Sequence, residues 1–167
     1  MQVFAPNLWS FSKTILNIFK VQNDGVRRHF PGHPFASTTF NLGPVVTTFP
    51  HKDMKNLSWG WCAITSFGDY DPKKGGHLVL WDLKVVLEFP PYSTIFIPSA
   101  IVMHSNTTVA EGETRYSVTQ YTWPYLPPGP PPARGPPPRP RTGGEGAWKL
   151  VITCWVHLEL MCIFPTM

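Results

Sequence analysis

The sequence predicts a mainly β domain, a sandwich or barrel of short strands, with one helix before it and a Pro-rich segment after it. Short β-prone runs alternate with turn residues from about residue 40 onward, and no helical pattern separates them. Ten of the 20 prolines lie between Pro124 and Pro140, so the proline excess is local. Closely spaced strands without intervening helices are typical of sandwiches and barrels.

The composition is that of a folded domain with little electrostatic character. The chain has 167 residues, 43% of them hydrophobic and only 14% charged, which suits one domain with a core and excludes a wholly disordered chain. The net charge of +4 is divided equally between residues 1–123 and residues 124–147. A strongly basic, clustered nucleic-acid-binding face is therefore not predicted.

Residues 1–39 are expected to form a helix and a loop that pack on the core. Apolar Leu8, Phe11, Ile15, Leu16 and Phe19 recur at helical spacing, which predicts an amphipathic helix over 8–20. A lone short helix is marginal in water, so we expect it to pack on the domain that follows.

The core is predicted to span residues 40–123. Its strand candidates are residues 45–49, 59–67, 77–89, 93–97, 101–105 and 115–122. The run 77–89 fits one long strand or two short ones, and period-2 alternation is clearest in the last run. No internal repeat is visible.

Residues 124–147 are rich in Pro, Gly and Arg, and we expect them to be extended and largely disordered, because proline supplies no N–H to a ladder. Within them, Arg134, Pro137 and Pro140 match R-x-x-P-x-x-P, so residues 134–140 fit a weak ligand of an SH3-type domain. The alternative interpretation is a disordered spacer.

Residues 148–167 form an apolar tail whose structure the sequence leaves uncertain. The tail is short for a membrane span and contains Lys149, His157 and Glu159, so no membrane association is predicted. An odd count of three cysteines argues against a secreted disulfide scaffold, and no secretory signal is recognisable. We therefore expect an intracellular protein.

A candidate metal site comes from His51 and Asp53, an H-x-D pair at the end of a strand candidate. Side chains two residues apart on an extended chain share a face, so imidazole and carboxylate can bind one ion together. His104 follows another strand candidate and can supply the third ligand. Two histidines and one carboxylate form the facial triad of non-haem Fe(II) oxygenases.

A candidate carboxylate-binding pair lies further along, where Arg115 and Ser117 share one face of the last strand candidate. A guanidinium binds a carboxylate through two parallel hydrogen bonds, and the hydroxyl can add a third. Together with an iron site, this pair fits a dicarboxylic 2-oxo acid. Its 2-oxo carboxylate end would chelate iron, and its far carboxylate would meet Arg115.

Alternatives stay open for each residue. His51 and Asp53 fit a solvated turn, His104 fits a histidine at a strand end, and Arg115 fits a surface cation that pairs with Glu113 or Glu111. Asn56 can hydrogen-bond a ligand or the co-substrate, or form a turn. His77 is more simply an exposed residue at a strand start.

The H-x-D-x-x-N start (HKDMKN), the GGHLVLWDL strand after a Gly-Gly turn and the H…R-x-S end resemble 2-oxoglutarate/Fe(II)-dependent dioxygenases, specifically the TET/JBP-like domains common in mushroom-forming fungi. The resemblance covers about residues 40–122. It implies a double-stranded β-helix of the jelly-roll or cupin-like type, with Fe(II) on His51, Asp53 and His104 and 2-oxoglutarate on Arg115 and Ser117. No catalytic residue beyond the metal ligands is predicted.

The resemblance further implies O2 as co-substrate and a methyl group on a nucleic-acid base, a modified pyrimidine, as substrate. It implies a nuclear location if that substrate is DNA. After Thr122 the chain departs from the family, whose aromatic-rich C-terminal segment is replaced by the proline tract. The alternative is thus an inactive cupin-like barrel or truncated copy that acts, if at all, through its Pro-rich segment.

Overall fold

The computed structural model describes residues 1–22, 30, 32–122, 148–153 and 163–165. These residues form one α-helix and two antiparallel β-sheets, which confirms the mainly β class with an N-terminal helix. The elements are α1 (Pro6–Gln22), β1 (Ser37–Leu42), β2 (Thr48–His51), β3 (Cys62–Asp69), β4 (Leu78–Leu80), β5 (Val85–Leu87), β6 (Thr94–Ile97), β7 (His104–Asn106), β8 (Thr114–Tyr121), β9 (Trp148–Thr153) and β10 (Ile163–Pro165).

The helix α1 begins two residues earlier and ends two residues later than its apolar spacing predicts. Pro6 occupies its first position, where a missing N–H costs nothing. Leu16 and Phe19 are buried and cluster with Ala36 just before β1, so the helix packs on the segment that leads into the large sheet. None of the helical structure in the described part of the chain has both the length and the apolar character needed to cross a membrane.

The two sheets divide the strands unequally. The large sheet has the order β10-β9-β1-β8-β3-β6 and the small sheet has the order β2-β7-β4-β5. In the large sheet, β8 pairs with β3 from Thr114 to Gln120 and, on its other side, with β1 from Ser117 to Tyr121. Ser117 therefore lies between β1 and β3, whereas Arg115 lies between β3 and the segment that contains Pro44 and Val46.

The predicted strand candidates correspond to strands in the structure, but several strands begin or end at other residues than predicted. The run 77–89 forms two short strands, β4 and β5, separated by a 3₁₀ turn at Trp81–Leu83. The run 45–49 yields β2 from Thr48 onward, and 101–105 yields β7 from His104 onward, because residues 101–102 lie in a turn. The sequence gives no signal for β1, which begins at Ser37, before the predicted start of the core.

Of the two C-terminal segments, the structure describes only parts of the apolar tail. The Pro-rich segment 124–147, with its R-x-x-P-x-x-P motif, lies outside the described residues. Part of the apolar tail forms β9 and β10, and β9 pairs with β1 from Leu42–Trp148 to Ser37–Thr153. The large sheet thus continues past β1 with strands from the tail.

The core lies where the two sheets face each other. Cys62 and Ile64 of the large sheet cluster with Leu78 and Leu80 of the small sheet, together with Phe89 and Ile97. Burial raises the pKa of the Cys62 thiol, so this cysteine behaves as the small buried hydrophobe that its apolar sequence context predicts.

Gly68 is required by a close backbone approach beside the strand that carries Arg115. Gly68 has a φ of +123° and lies directly opposite Arg115, and a Cβ there would collide with the Thr114 carbonyl oxygen. We predict that Gly68→Ala lowers the free energy of unfolding by about 3 kcal/mol, through backbone strain and overpacking.

Gly112→Ala is the matched control for this prediction. Gly112 also has a positive φ, +82°, but a Cβ there meets no atom within 4 Å. Only the strain of about 1–2 kcal/mol should appear in its chemical denaturation curve. Equal losses for the two variants would contradict the close approach at Gly68.

Candidate metal centre

Antiparallel pairing of β2 with β7 brings two histidines together. His51 at the end of β2 is the direct cross-strand partner of His104 at the start of β7. Directly opposed side chains on one face are the closest neighbours in a sheet. The two imidazole ring centroids accordingly lie 4.4 Å apart.

Asp53 completes the group from the loop after β2. The Asp53 backbone N–H donates to the Ser99 carbonyl oxygen at 3.0 Å, which holds this loop in place. The carboxylate Oδ1 lies 3.6 Å from His51 Nε2, and Oδ2 lies 3.9 Å from His104 Nε2. The structure therefore brings together the three residues that the sequence assigns to a metal site.

Both imidazoles are held in the tautomer that leaves Nε2 free to bind a metal. His51 Nδ1 lies 2.7 Å from the Phe49 carbonyl oxygen, and His104 Nδ1 lies 2.9 Å from the Val102 carbonyl oxygen. A carbonyl oxygen only accepts, so each Nδ1 carries the proton and donates. In the neutral ring, each Nε2 is left with a lone pair facing Asp53.

His104 is also kept neutral by its surroundings. Burial is the largest effect on its pKa and lowers it, and the nearby His51 lowers it further. The Val102 carbonyl and the Asp53 carboxylate act in the opposite direction but are outweighed. A buried imidazole with a pKa below its usual value binds a cation without first losing a proton.

Asp82 and Asn56 position the ligand-bearing segments. The Asp82 carboxylate accepts from the Met103 backbone N–H at 2.9 Å and pairs with Lys52 at 3.1 Å. Met103 precedes His104, and Lys52 separates the two ligands of the H-x-D pair. Asn56 Nδ2 donates to Asp53 Oδ2 at 3.2 Å while its backbone closes a turn, so it performs two of the roles considered for it.

The three side chains fit a divalent cation. Their ligand atoms lie within 4.8 Å of one another. Bonds from a first-row metal to histidine nitrogen or carboxylate oxygen are about 2.0–2.2 Å long, so small side-chain movements bring all three onto one ion. One carboxylate with two imidazoles suits Fe(II) with open positions for further ligands. No protein-family model and no curated protein matches the chain, so this donor set is what points to a function.

Arg115 lies on β8 as a buried cation. Its side chain is 2% exposed, and its Nη1 donates to the Val46 carbonyl oxygen at 3.1 Å. Its Nε is buried without a hydrogen-bond partner. The guanidinium carbon lies 5.8 Å from the centroid of the Phe89 ring, which adds a cation–π contact.

Within the described ranges, no acidic residue pairs with this guanidinium. Glu113 accepts instead from the backbone N–H groups of Asp71 and Ala110, so the interpretation of Arg115 as a surface cation paired with Glu113 does not hold. Burial lowers the pKa of Arg115, and contact with Tyr70 partly offsets that effect. A buried guanidinium that stays charged requires an anion beside it.

One cavity of about 410 Å³ joins the two candidate groups. His51, Asp53 and His104 line it from the small-sheet side, and Arg115 and Ser117 line it from β8. All five residues singled out in the sequence therefore face the same space. His77 does not line this cavity; it lies directly before β4, where it is half-buried rather than exposed as predicted, and its ring contacts the Thr107 hydroxyl.

Two residues of this region escape sequence reasoning. Asn41, on the unpredicted β1, lines the cavity and donates through Nδ2 to Ser117 Oγ at 2.8 Å. Tyr70 is buried beside Arg115, and its hydroxyl donates to the Phe89 carbonyl and contacts Ser66 Oγ. The signal for Tyr70 is an aromatic residue inside the polar turn GDYDP.

We predict that wild-type protein binds one divalent cation per chain and that Asp53→Ala or His104→Ala lowers the affinity at least about 100-fold, because two protein ligands hold a cation poorly. Anaerobic calorimetric titration with Fe(II) measures the affinity. His77→Ala is the matched control, since it removes an imidazole outside the cavity and should leave binding unchanged. Equal affinity in wild type and His104→Ala would contradict the site.

Proposed function

We propose that this chain is a 2-oxoglutarate- and Fe(II)-dependent dioxygenase built on a double-stranded β-helix. One observation carries the proposal: a buried guanidinium, which has no acidic partner among the described residues, shares a cavity with two histidines and a carboxylate that fit a metal ion. The arrangement supplies one anchor for each end of a dicarboxylic 2-oxo acid. A site that binds only a metal ion would not need the buried guanidinium of Arg115.

The sheet arrangement supports the fold assignment. A double-stranded β-helix consists of two facing antiparallel sheets with a site between them. Here β2 and β7 of the small sheet supply His51 and His104, and the loop after β2 supplies Asp53. The large sheet supplies Arg115 and Ser117.

The residues of this chain have separate tasks in the proposed reaction. His51, Asp53 and His104 hold the metal and leave its remaining positions open. The bound metal supplies the oxidation chemistry, in which substrate C–H, O2 and 2-oxoglutarate give C–OH, succinate and CO2. Arg115 and Ser117 bind the distal carboxylate and so fix the orientation of the co-substrate. His104, Arg115 and Ser117 are buried, so their part of the cavity is shielded from water.

The substrate proposal follows the resemblance. We propose oxidation of a methyl group, on a pyrimidine base of a nucleic acid. The core is nearly neutral, so recognition of such a base would depend on the shape and hydrogen bonds of the cavity rather than on a basic face. A cupin-like barrel without this activity is less well supported, since in that case Arg115 would pair with a protein carboxylate.

We predict that Arg115→Ala weakens binding of 2-oxoglutarate to the metal-loaded protein about 100-fold, because a charge-assisted, bidentate contact is lost. Fe(II) affinity should stay unchanged, because Arg115 is not a ligand. Both are measured by anaerobic calorimetry. Arg115→Lys should recover only part of the loss, since an ammonium keeps the charge without the planar fork.

Lys73→Ala is the control for removal of one positive charge, because Lys73 is exposed and does not line the cavity. Circular dichroism checks that the Arg115 variants are folded. If folded Arg115→Ala and Arg115→Lys bind 2-oxoglutarate as tightly as wild type does, the carboxylate assignment is wrong.

A further inference from the structure

Asn41 and Ser117 form a hydrogen-bonded pair beside the buried Arg115. We propose that Asn41 is a positioning residue for the co-substrate: it fixes Ser117 as a hydrogen-bond donor toward the carboxylate that Arg115 binds. This inference rests on the proposed function and deepens it, because it assigns the selectivity for a dicarboxylic over a monocarboxylic 2-oxo acid to a residue outside the sequence motif.

The geometry of the pair follows from strand register. Asn41 on β1 is the direct antiparallel partner of Ser117 on β8. Both side chains line the cavity, and Asn41 Nδ2 donates to Ser117 Oγ at 2.8 Å. Ser117 is buried, so the contact is shielded from competing water.

The direction of this hydrogen bond determines what Ser117 can do. A hydroxyl has one proton to donate and two lone pairs that accept. Because the Asn41 amide occupies a lone pair, the Ser117 proton remains free for another acceptor. Among the residues that the structure describes, no side chain accepts that proton.

Arg115 lies two residues from Ser117 on the same face of β8, and it also has an unused donor. Its buried Nε has no partner, and its Nη1 is bonded to a neutral carbonyl oxygen. Arg115 and Ser117 line the same cavity, and the ligand group that can both accept the Ser117 proton and neutralise the Arg115 cation is a carboxylate. The distal carboxylate of 2-oxoglutarate has this chemistry, and a monocarboxylic 2-oxo acid lacks it.

The test compares 2-oxoglutarate with 2-oxovalerate, which has the same 2-oxo carboxylate end but no distal carboxylate. Anaerobic calorimetry on Fe(II)-loaded protein measures the dissociation constants of both. Asn41→Ala should weaken 2-oxoglutarate binding about three- to tenfold, the range for one hydrogen bond, and leave 2-oxovalerate binding unchanged. Asn41→Asp should weaken it more, since the introduced carboxylate accepts the Ser117 proton and repels the anion.

A double-mutant cycle separates action through Ser117 from an independent effect. In the Ser117→Ala background, Asn41→Ala should cause little further loss, because the hydroxyl that it orients is gone. Thr39→Val is the matched control: Thr39 lies on the same strand and lines the same cavity, but its hydroxyl contacts Tyr121 at 3.2 Å. The Thr39→Val variant should bind 2-oxoglutarate as tightly as wild type does.

Three results would overturn the inference: unchanged 2-oxoglutarate affinity in Asn41→Ala, equal weakening for both acids, or additive losses in the cycle. If Arg115→Ala still weakens 2-oxoglutarate binding as predicted, only the role of Asn41 falls. If wild type binds 2-oxoglutarate no better than 2-oxovalerate, the proposed function falls as well.

Discussion

The buried guanidinium of Arg115 is the constraint on which the rest of the site depends. Moving a cation out of water is costly, and here its protein contacts are a carbonyl oxygen, a phenol and an aromatic ring. The pairing of β8 on both sides fixes this side chain between the sheets, and Gly68 opposite it permits the close strand approach. This uncompensated charge is the basis for the proposal that the cavity binds an anion.

The candidate metal ligands are brought together by the register between β2 and β7. A shift of one residue would turn His51 or His104 to the other face of the small sheet. Backbone carbonyls then fix both tautomers, and Asn56 and Asp82 hold the flanking segments. The two halves of the site thus come from separate sheets, and the core cluster between those sheets sets their spacing.

The local part of this arrangement could be predicted from sequence, and the long-range part could not. Alternate residues of an extended strand share a face, which predicts that His51 lies beside Asp53 and that Arg115 lies beside Ser117. Neither period nor spacing reports which strands pair, so His104 could be named as the third ligand only from its place after a strand candidate, and its pairing with His51 could not be predicted. β1 escaped prediction because its buried residues are Ser37, Thr38 and Thr39, which carry no hydrophobic alternation, and Asn41 was missed with it.

The most direct test of the account is the visible spectrum of the wild-type protein with Fe(II) and 2-oxoglutarate under anaerobic conditions. Chelation of iron by a 2-oxo acid in a site with open coordination positions gives a charge-transfer band, which should appear only when both components are present and should saturate at one equivalent of iron. A folded protein that binds Fe(II) but develops no such band would contradict the central claim that this cavity joins a metal site to a carboxylate site.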